Sequence, residues 1–413
     1  MDSTDQHAGA AGDPSWRPAL SLWDATSLMI GIVVGTSLFA SPRMVFSHVS
    51  SPTTGILAWL AGGILSTIGA LLFAELAVSV PRGGSYAYLT AAFGRAAGMV
   101  YGVALVSVML TANIGAMAFA FARYTRTILS DTGLSDNAVL ASGPWLAAGA
   151  VLILAVFNSF GFTVGRLTQN LLTGSKLLGL ALIVVAGFCA SVTHRDAGAA
   201  AAAGGNSTVD YPLAMVIVLY AFGGWSDAAA VAAEVRNRSR NIPLALVGGL
   251  AAVTAIYVAV NAAYVSGIGF TAIQKSDLPA FDVVNAAGWG SRAAQGVSLL
   301  VMISALGAVQ GMLFSGSRAV AAMGRDHASL RPLGIWNERN YVPTRAVWML
   351  ASISLIQIGL VGTGRGRAIV DGILAWFRSG PIAWEKFGDG FDVLVYGSAP
   401  TFWALMIGVG AAF

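Results

Sequence analysis

Gly31-Ile-Val-Val-Gly35-Thr36-Ser37-Leu-Phe-Ala-Ser-Pro42 lies inside an apolar run long enough to cross a bilayer. Glycines there weaken a helix and leave backbone N–H and C=O groups without partners. In hydrocarbon such groups persist only where protein buries them or where they line a cavity. Far along the chain, Tyr220-Ala221-Phe-Gly223-Gly-Trp225 interrupts another apolar run in the same way. One Gly-broken span in each half of a polytopic chain marks the substrate site of a transporter.

Composition agrees with a membrane setting. The 413 residues are 56% hydrophobic and 10% charged, against roughly 25% charged in soluble domains. The pI near 9.3 does not point to nucleic acid, because the Lys and Arg residues are scattered over loops between apolar spans and read as topology determinants. Residues 1–20 are polar, without the basic start and short apolar core of a signal peptide. One cysteine, Cys189, and four scattered histidines leave no intramolecular disulfide and no metal cluster. No cofactor is expected, and no intramembrane catalytic constellation argues for an enzyme.

Apolar stretches of about 18 residues or more give ten spans, at roughly 25–47, 53–80, 96–125, 144–163, 168–191, 212–234, 243–266, 295–323, 344–362 and 391–413. Two dense basic clusters, 236–240 and 318–345, fall on one side of this arrangement and place the N-terminus in the cytoplasm. The chain thus reads as a multi-pass protein of the plasma (cytoplasmic) membrane, in contact with lipid. Residues 1–20 form a cytoplasmic tail, 21–191 a first set of five spans, 192–211 an external loop and 212–413 a second set of five. The connection 363–390 contains Ile369–Phe377, too short to span and suited to lie at the interface. An apolar run that reaches Phe413 without a polar tail reads as a C-terminally truncated chain.

The chemistry follows from the breaks. A helix restarting at Gly35-Thr36-Ser37 aims free N–H groups and a positive dipole end at the cavity, which suits a carboxylate. Small residues at Gly31 and Gly35 equally serve close helix packing. Tyr220, Ala221 and Gly223, read as the end of an inner half-helix, free carbonyl oxygens that suit an ammonium. The two together match an α-amino acid, with Tyr220 placed to close over it. Lys176 sits in an otherwise apolar span and is a functional residue by default, although a lysine near a span end also snorkels. Asp227 and Glu234, seven apart on span six, share a face two turns apart. Asp227 lies near the outer cavity, available to a cationic side chain or a proton, or equally makes a polar link to a neighbouring helix. Glu234, next to the basic loop 236–240, belongs to a structural ion-pair network at the inner gate, and Glu75 is structural.

These motifs run in order through the chain: Gly31 to Pro42, Ala74-Glu75-Leu76, Pro81-Arg-Gly-Gly-Ser-Tyr-Ala-Tyr88, Ala92-Phe-Gly94, Gly174-Ser-Lys-Leu-Leu178, Tyr220 to Trp225, Arg240-Asn-Ile-Pro-Leu244, Ser315-Gly-Ser-Arg318 and Gly324-Arg-Asp326. In this the chain resembles the amino acid–polyamine–organocation transporter superfamily, most of all its L-type and bacterial permease branches. The resemblance implies an all-α, leucine-transporter-like fold of two inverted five-helix repeats, with spans one and six broken at the substrate. It implies a secondary active amino acid transporter working by alternating access. The carboxylate would lie at Gly35-Thr36-Ser37, with Ser37 where the family commonly has glycine. The ammonium would meet carbonyls of Val33 or Val34 and of Tyr220, Ala221 and Gly223, with Ser226 toward the substrate side chain. Lys176 would stand in the place of a sodium ion, implying proton symport or amino acid exchange. Residues 126–143 lack the cysteine that L-type members use, so no disulfide-linked heavy chain is expected. A transporter of polyamines or basic amino acids, which Asp227 would serve, and a nutrient-sensing receptor on a transporter scaffold are the other readings.

Overall fold

A computed structural model describes residues 18–131, 142–193, 209–276, 278–386 and 390–412. The Ala/Gly-rich stretch 197–205 and the part of the 126–143 loop at 132–141 lie outside them. Span one forms as two helices, α1 (Leu22–Val33) and α2 (Ser37–Ser47). Ser21 and Asp24 cap α1 reciprocally, satisfying two of the donors that a helix start leaves open. Ser51 and Thr54 do the same for α3 (Pro52–Ser79). α3 shows how the membrane is met. Leu57, Leu60, Ile64, Ile68 and Leu71 are exposed along one helical stripe, whereas Trp59, Gly62, Gly63, Ser66 and Phe73 are buried on the other side. An exposed apolar stripe of this length faces hydrocarbon.

Span three is longer than its apolar reading. α4 (Ser85–Ala104) bends at Gly94 (φ 87°), passes through a π-helical turn at Leu105–Leu110 and continues as α5 (Thr111–Asp131). α6 (Gly143–Ser159) and α7 (Phe162–Thr193) complete the first five spans. α8 (Tyr211–Ala221) then leads through an irregular turn into a 3-10 helix at Asp227–Glu234. α9 (Arg238–Pro243), a second π turn at Leu244–Gly248 and α10 (Gly249–Ile268) form span seven. Two short helices, α11 (Phe270–Lys275) and α12 (Pro279–Ala286), precede the long α13 (Gly290–Asp326). α14 (Thr344–Gly362), α15 (Gly364–Trp376) and α16 (Gly390–Ala412) follow. Among the described residues, seven helices are long and apolar enough to cross a membrane. The shorter apolar helices are α1, α6 and α8, which are halves of the two broken spans and span four. α15 covers the stretch read as interfacial: Ile369, Ile373, Trp376 and Phe377 are exposed, while Asp371 accepts the Trp384 indole N–H at 2.8 Å and ties the following loop back.

Two expectations are corrected. Asp210 N–H bonds to His48 O at 3.0 Å, and Leu20 N–H bonds to Glu234 O at 2.8 Å. Span six therefore starts on the side where α2 ends and finishes beside the N-terminal residues. With the N-terminus inside, α8 is the outer half and Asp227–Glu234 the inner half, the reverse of the sequence reading. The inner half is also 3-10, with about three residues per turn. A seven-residue separation then turns about 120° around the axis, so Asp227 and Glu234 do not share a face.

Candidate substrate site

The breaks of spans one and six meet in the middle of the bundle. α1 stops at Val33, and the Gly35 N–H turns back to Val33 O at 2.8 Å. α2 restarts at Ser37 with no side-chain cap at Thr36. The first N–H groups of α2 thus remain without helical acceptors, at the positive end of its dipole. Opposite, the N–H groups of Phe222 and Gly223 fold back onto Tyr220 O as α8 ends. Gly224 follows at φ 99°, and a Cβ there would lie 2.8 Å from Ile32 Cγ2. Only glycine combines that conformation with contact between the two breaks. Gly31 differs, because it stays within α1 and a Cβ would collide with the Gln169 side chain. It is a packing glycine, whereas the chain opens at Val34-Gly35-Thr36.

Tyr257 of α10 ties the breaks together. Its buried hydroxyl lies 3.0 Å from Val33 O and 3.1 Å from Ala221 O. Trp59 and Phe222 hold its ring, with centroids at 5.4 and 4.8 Å. Lys176 of α7 is fully buried. Its ammonium donates to Gly31 O at 2.9 Å, Val34 O at 2.7 Å and Ser304 O at 3.2 Å. Three donors on three carbonyls satisfy an ammonium completely. The Ser304 hydroxyl of α13 approaches Val34 O and Gly35 O at 2.9 and 3.1 Å. Lys176 lies in the middle of α7 and is held inside the bundle, not snorkelling to an end. It heads a row along α7, in which Thr173 Oγ1 donates to Ser27 O at 3.0 Å and Asn170 donates to Asp24 at 2.7 Å.

Between the breaks lies a cavity of about 80 Å³, room for several waters or a small solute. Of the residues read from sequence, Val33, Gly35, Thr36, Ser37, Tyr220, Ala221, Gly223 and Asp227 line it. Val34 turns its carbonyl to Lys176. Ser226 and Asp227 line a smaller neighbouring cavity, and Glu234 lies deeper on the N-terminal side. The carbonyls of Val33, Val34, Tyr220 and Ala221 already accept hydrogen bonds from the protein. Among the described residues, that of Gly223 accepts none.

Sequence reasoning passed over Tyr257, Ser304, Asn113 and Met117. Asn113 and Met117 line the cavity from α5, just beyond the π turn, which is a common device at functional sites. A tyrosine and a serine inside apolar runs were the available signal, since buried hydroxyls need partners.

Three polar ties cross the N-terminal side of the cavity. Arg318 Nε lies 2.8 Å from Glu234 Oε1 and its Nη2 3.2 Å from Oε2, while the guanidinium stacks 3.7 Å above the Phe314 ring. Glu234 therefore forms its ion pair with α13. Asp24 and Arg166 approach to 3.7 Å, and Tyr86 donates to Asp326 at 2.9 Å.

Two half-broken spans crossing at a central cavity define a transporter of the leucine-transporter fold. A Na+-coupled sialic acid symporter in a substrate-bound outward-open state shares the fold: the TM-score is 0.58, with 12% identity over 96% of this chain and 90% of that one. Residues 20–395 match the amino acid permease family model, and the chain belongs to that family of amino acid transporters. It is 29% identical over 356 residues to the human b(0,+)-type amino acid transporter 1, covering 83% of this chain and 70% of that protein. It is 29% identical over 313 residues to the serine/threonine exchanger SteT of Bacillus subtilis, covering 75% and 69%. The protein is a multi-pass membrane transporter and not an enzyme.

Proposed function

We propose that the chain carries amino acids across the plasma membrane by alternating access without sodium, as an exchanger or a proton-coupled symporter, with its N-terminus inside. The observation that carries this reading is the Lys176 ammonium on the carbonyls of Gly31, Val34 and Ser304. Carbonyls released by a broken helix are what a coupling cation uses in such folds, and here a covalently held cation occupies them. The substrate carboxylate binds at the N-terminus of α2, around Gly35, Thr36 and Ser37, and the ammonium near the Gly223 carbonyl. Tyr220 closes the cavity. The name of the Bacillus subtilis relative, an exchanger, supports exchange. The lack of a cysteine at residues 126–143 supports operation without a disulfide-linked heavy chain. Uptake of labelled amino acids into proteoliposomes, with and without sodium, internal amino acid and a pH gradient, tests the reading.

A further inference from the structure

Asp227 differs from three other carboxylates on the N-terminal side of the cavity. Asp24 is held by Ser21, Asn170 and Arg166, Glu234 by Arg318, and Asp326 by Tyr86. Among the described residues no ion pair and no side-chain hydrogen bond satisfies Asp227. It is the charged side chain on the wall of the central cavity, which carries no Lys, Arg or His among the described residues. Of the nearest buried cations, Lys176 is committed to three carbonyls and Arg318 to Glu234. An unpaired carboxylate in an apolar bundle is costly and calls for a cation or a proton.

Asp227 also borders the second cavity, of about 20 Å³, together with Ser85, Ser226 and Ser315. Ser315 gives its hydroxyl proton to Gly311 O at 2.9 Å, which leaves its oxygen free to accept. A carboxylate and hydroxyl oxygens around a space for one water-sized group suit an ammonium. Asp227 borders the central cavity as well, where the N-terminus of α2 takes a carboxylate.

Resting on the transport reading above, we propose that the small cavity at Asp227 is a side-chain subsite for an aliphatic ammonium. The chain would then select amino acids with a terminal amine, such as lysine and ornithine. The cation of the ligand supplies the partner that Asp227 lacks within the protein.

Binding of labelled lysine and labelled leucine to the purified full chain tests this, with norleucine, which has the lysine stem without its amine, as competitor. Lysine is expected to outcompete norleucine by roughly tenfold or more, as a charge-assisted hydrogen bond allows. Asp227→Asn should collapse that ratio toward one, and Asp227→Glu should keep lysine ahead. Norleucine competing as well as lysine on the unmodified protein would overturn the proposal. So would an Asp227→Asn variant that lowers lysine and leucine binding by the same factor. If neutral amino acids are carried and lysine is ignored, this inference alone fails. If no amino acid is bound or carried, the transport reading fails with it.

Discussion

Lys176 Nζ lies 2.7 Å from the carbonyl oxygen of Val34, the residue at which the first span stops being a helix. The side chain thus anchors the break from behind, while the cavity lies on its other face. Replacing it removes the hydrogen-bond donor of Gly31 O and one of two donors of Val34 O. An orphaned buried carbonyl costs about 1–3 kcal/mol. Lys176→Met, which keeps the apolar stem, should lower the melting temperature in detergent and reduce uptake at least about tenfold. Its pH dependence should flatten; identical pH profiles for both forms would remove Lys176 from proton coupling.

Tyr257→Phe deletes one hydroxyl and leaves the ring packing intact. Since that hydroxyl bridges Val33 O and Ala221 O, the two breaks lose their shared donor. A loss of about 1 kcal/mol in stability is expected, with a larger fall in turnover, measured as uptake per folded molecule. Equal turnover would show that the bridge does not hold the site.

The bidentate Glu234–Arg318 pair is buried on both sides. Removing one partner strands a charge and should cost about 3–5 kcal/mol, whereas an apolar pair of similar volume is often tolerated. Arg318→Leu alone should therefore unfold at a clearly lower temperature than the Glu234→Leu, Arg318→Leu double variant. Additive losses in the double variant would show that the stranded charge is not the source of the cost.

Tyr220 lines the cavity at the end of α8. Tyr220→Ala should weaken substrate binding and leave it easily washed out, read by retention of labelled amino acid on the purified protein. Normal affinity and turnover would end its gating assignment.

Gly31→Ala should destabilise strongly, because the added methyl collides with Gln169 and Thr173. Gly35→Ala should fold, since its Cβ would meet Met117 Sδ at 3.4 Å, an ordinary contact, yet it fills space beside the carboxylate position. Melting temperature and uptake should separate the two: the first loses both, the second mainly uptake.

The breaks were legible because glycine costs helix stability inside a long apolar run, and Lys176 because charge there is rare. The opening at Gly35 was read from the sequence, but the separate packing role of Gly31 was not legible. Gly31 and Gly35 are both small, and only the position of Gln169 separates packing from unwinding. The 3-10 path of Asp227–Glu234 was hidden by an Ala-rich sequence with good helix propensity. Tertiary bonds from Ala233 N–H to Pro81 O and from Leu20 N–H to Glu234 O accompany that path. Tyr257 and Ser304 act through contacts distant in sequence, which no local pattern encodes.

The reading of the Lys176 ammonium as the resident cation is decided by proteoliposome uptake of labelled amino acid in sodium-free buffer. Uptake that proceeds without sodium, and that rises with internal amino acid or an acidic exterior, is predicted. Uptake that appears only when sodium is added would contradict it.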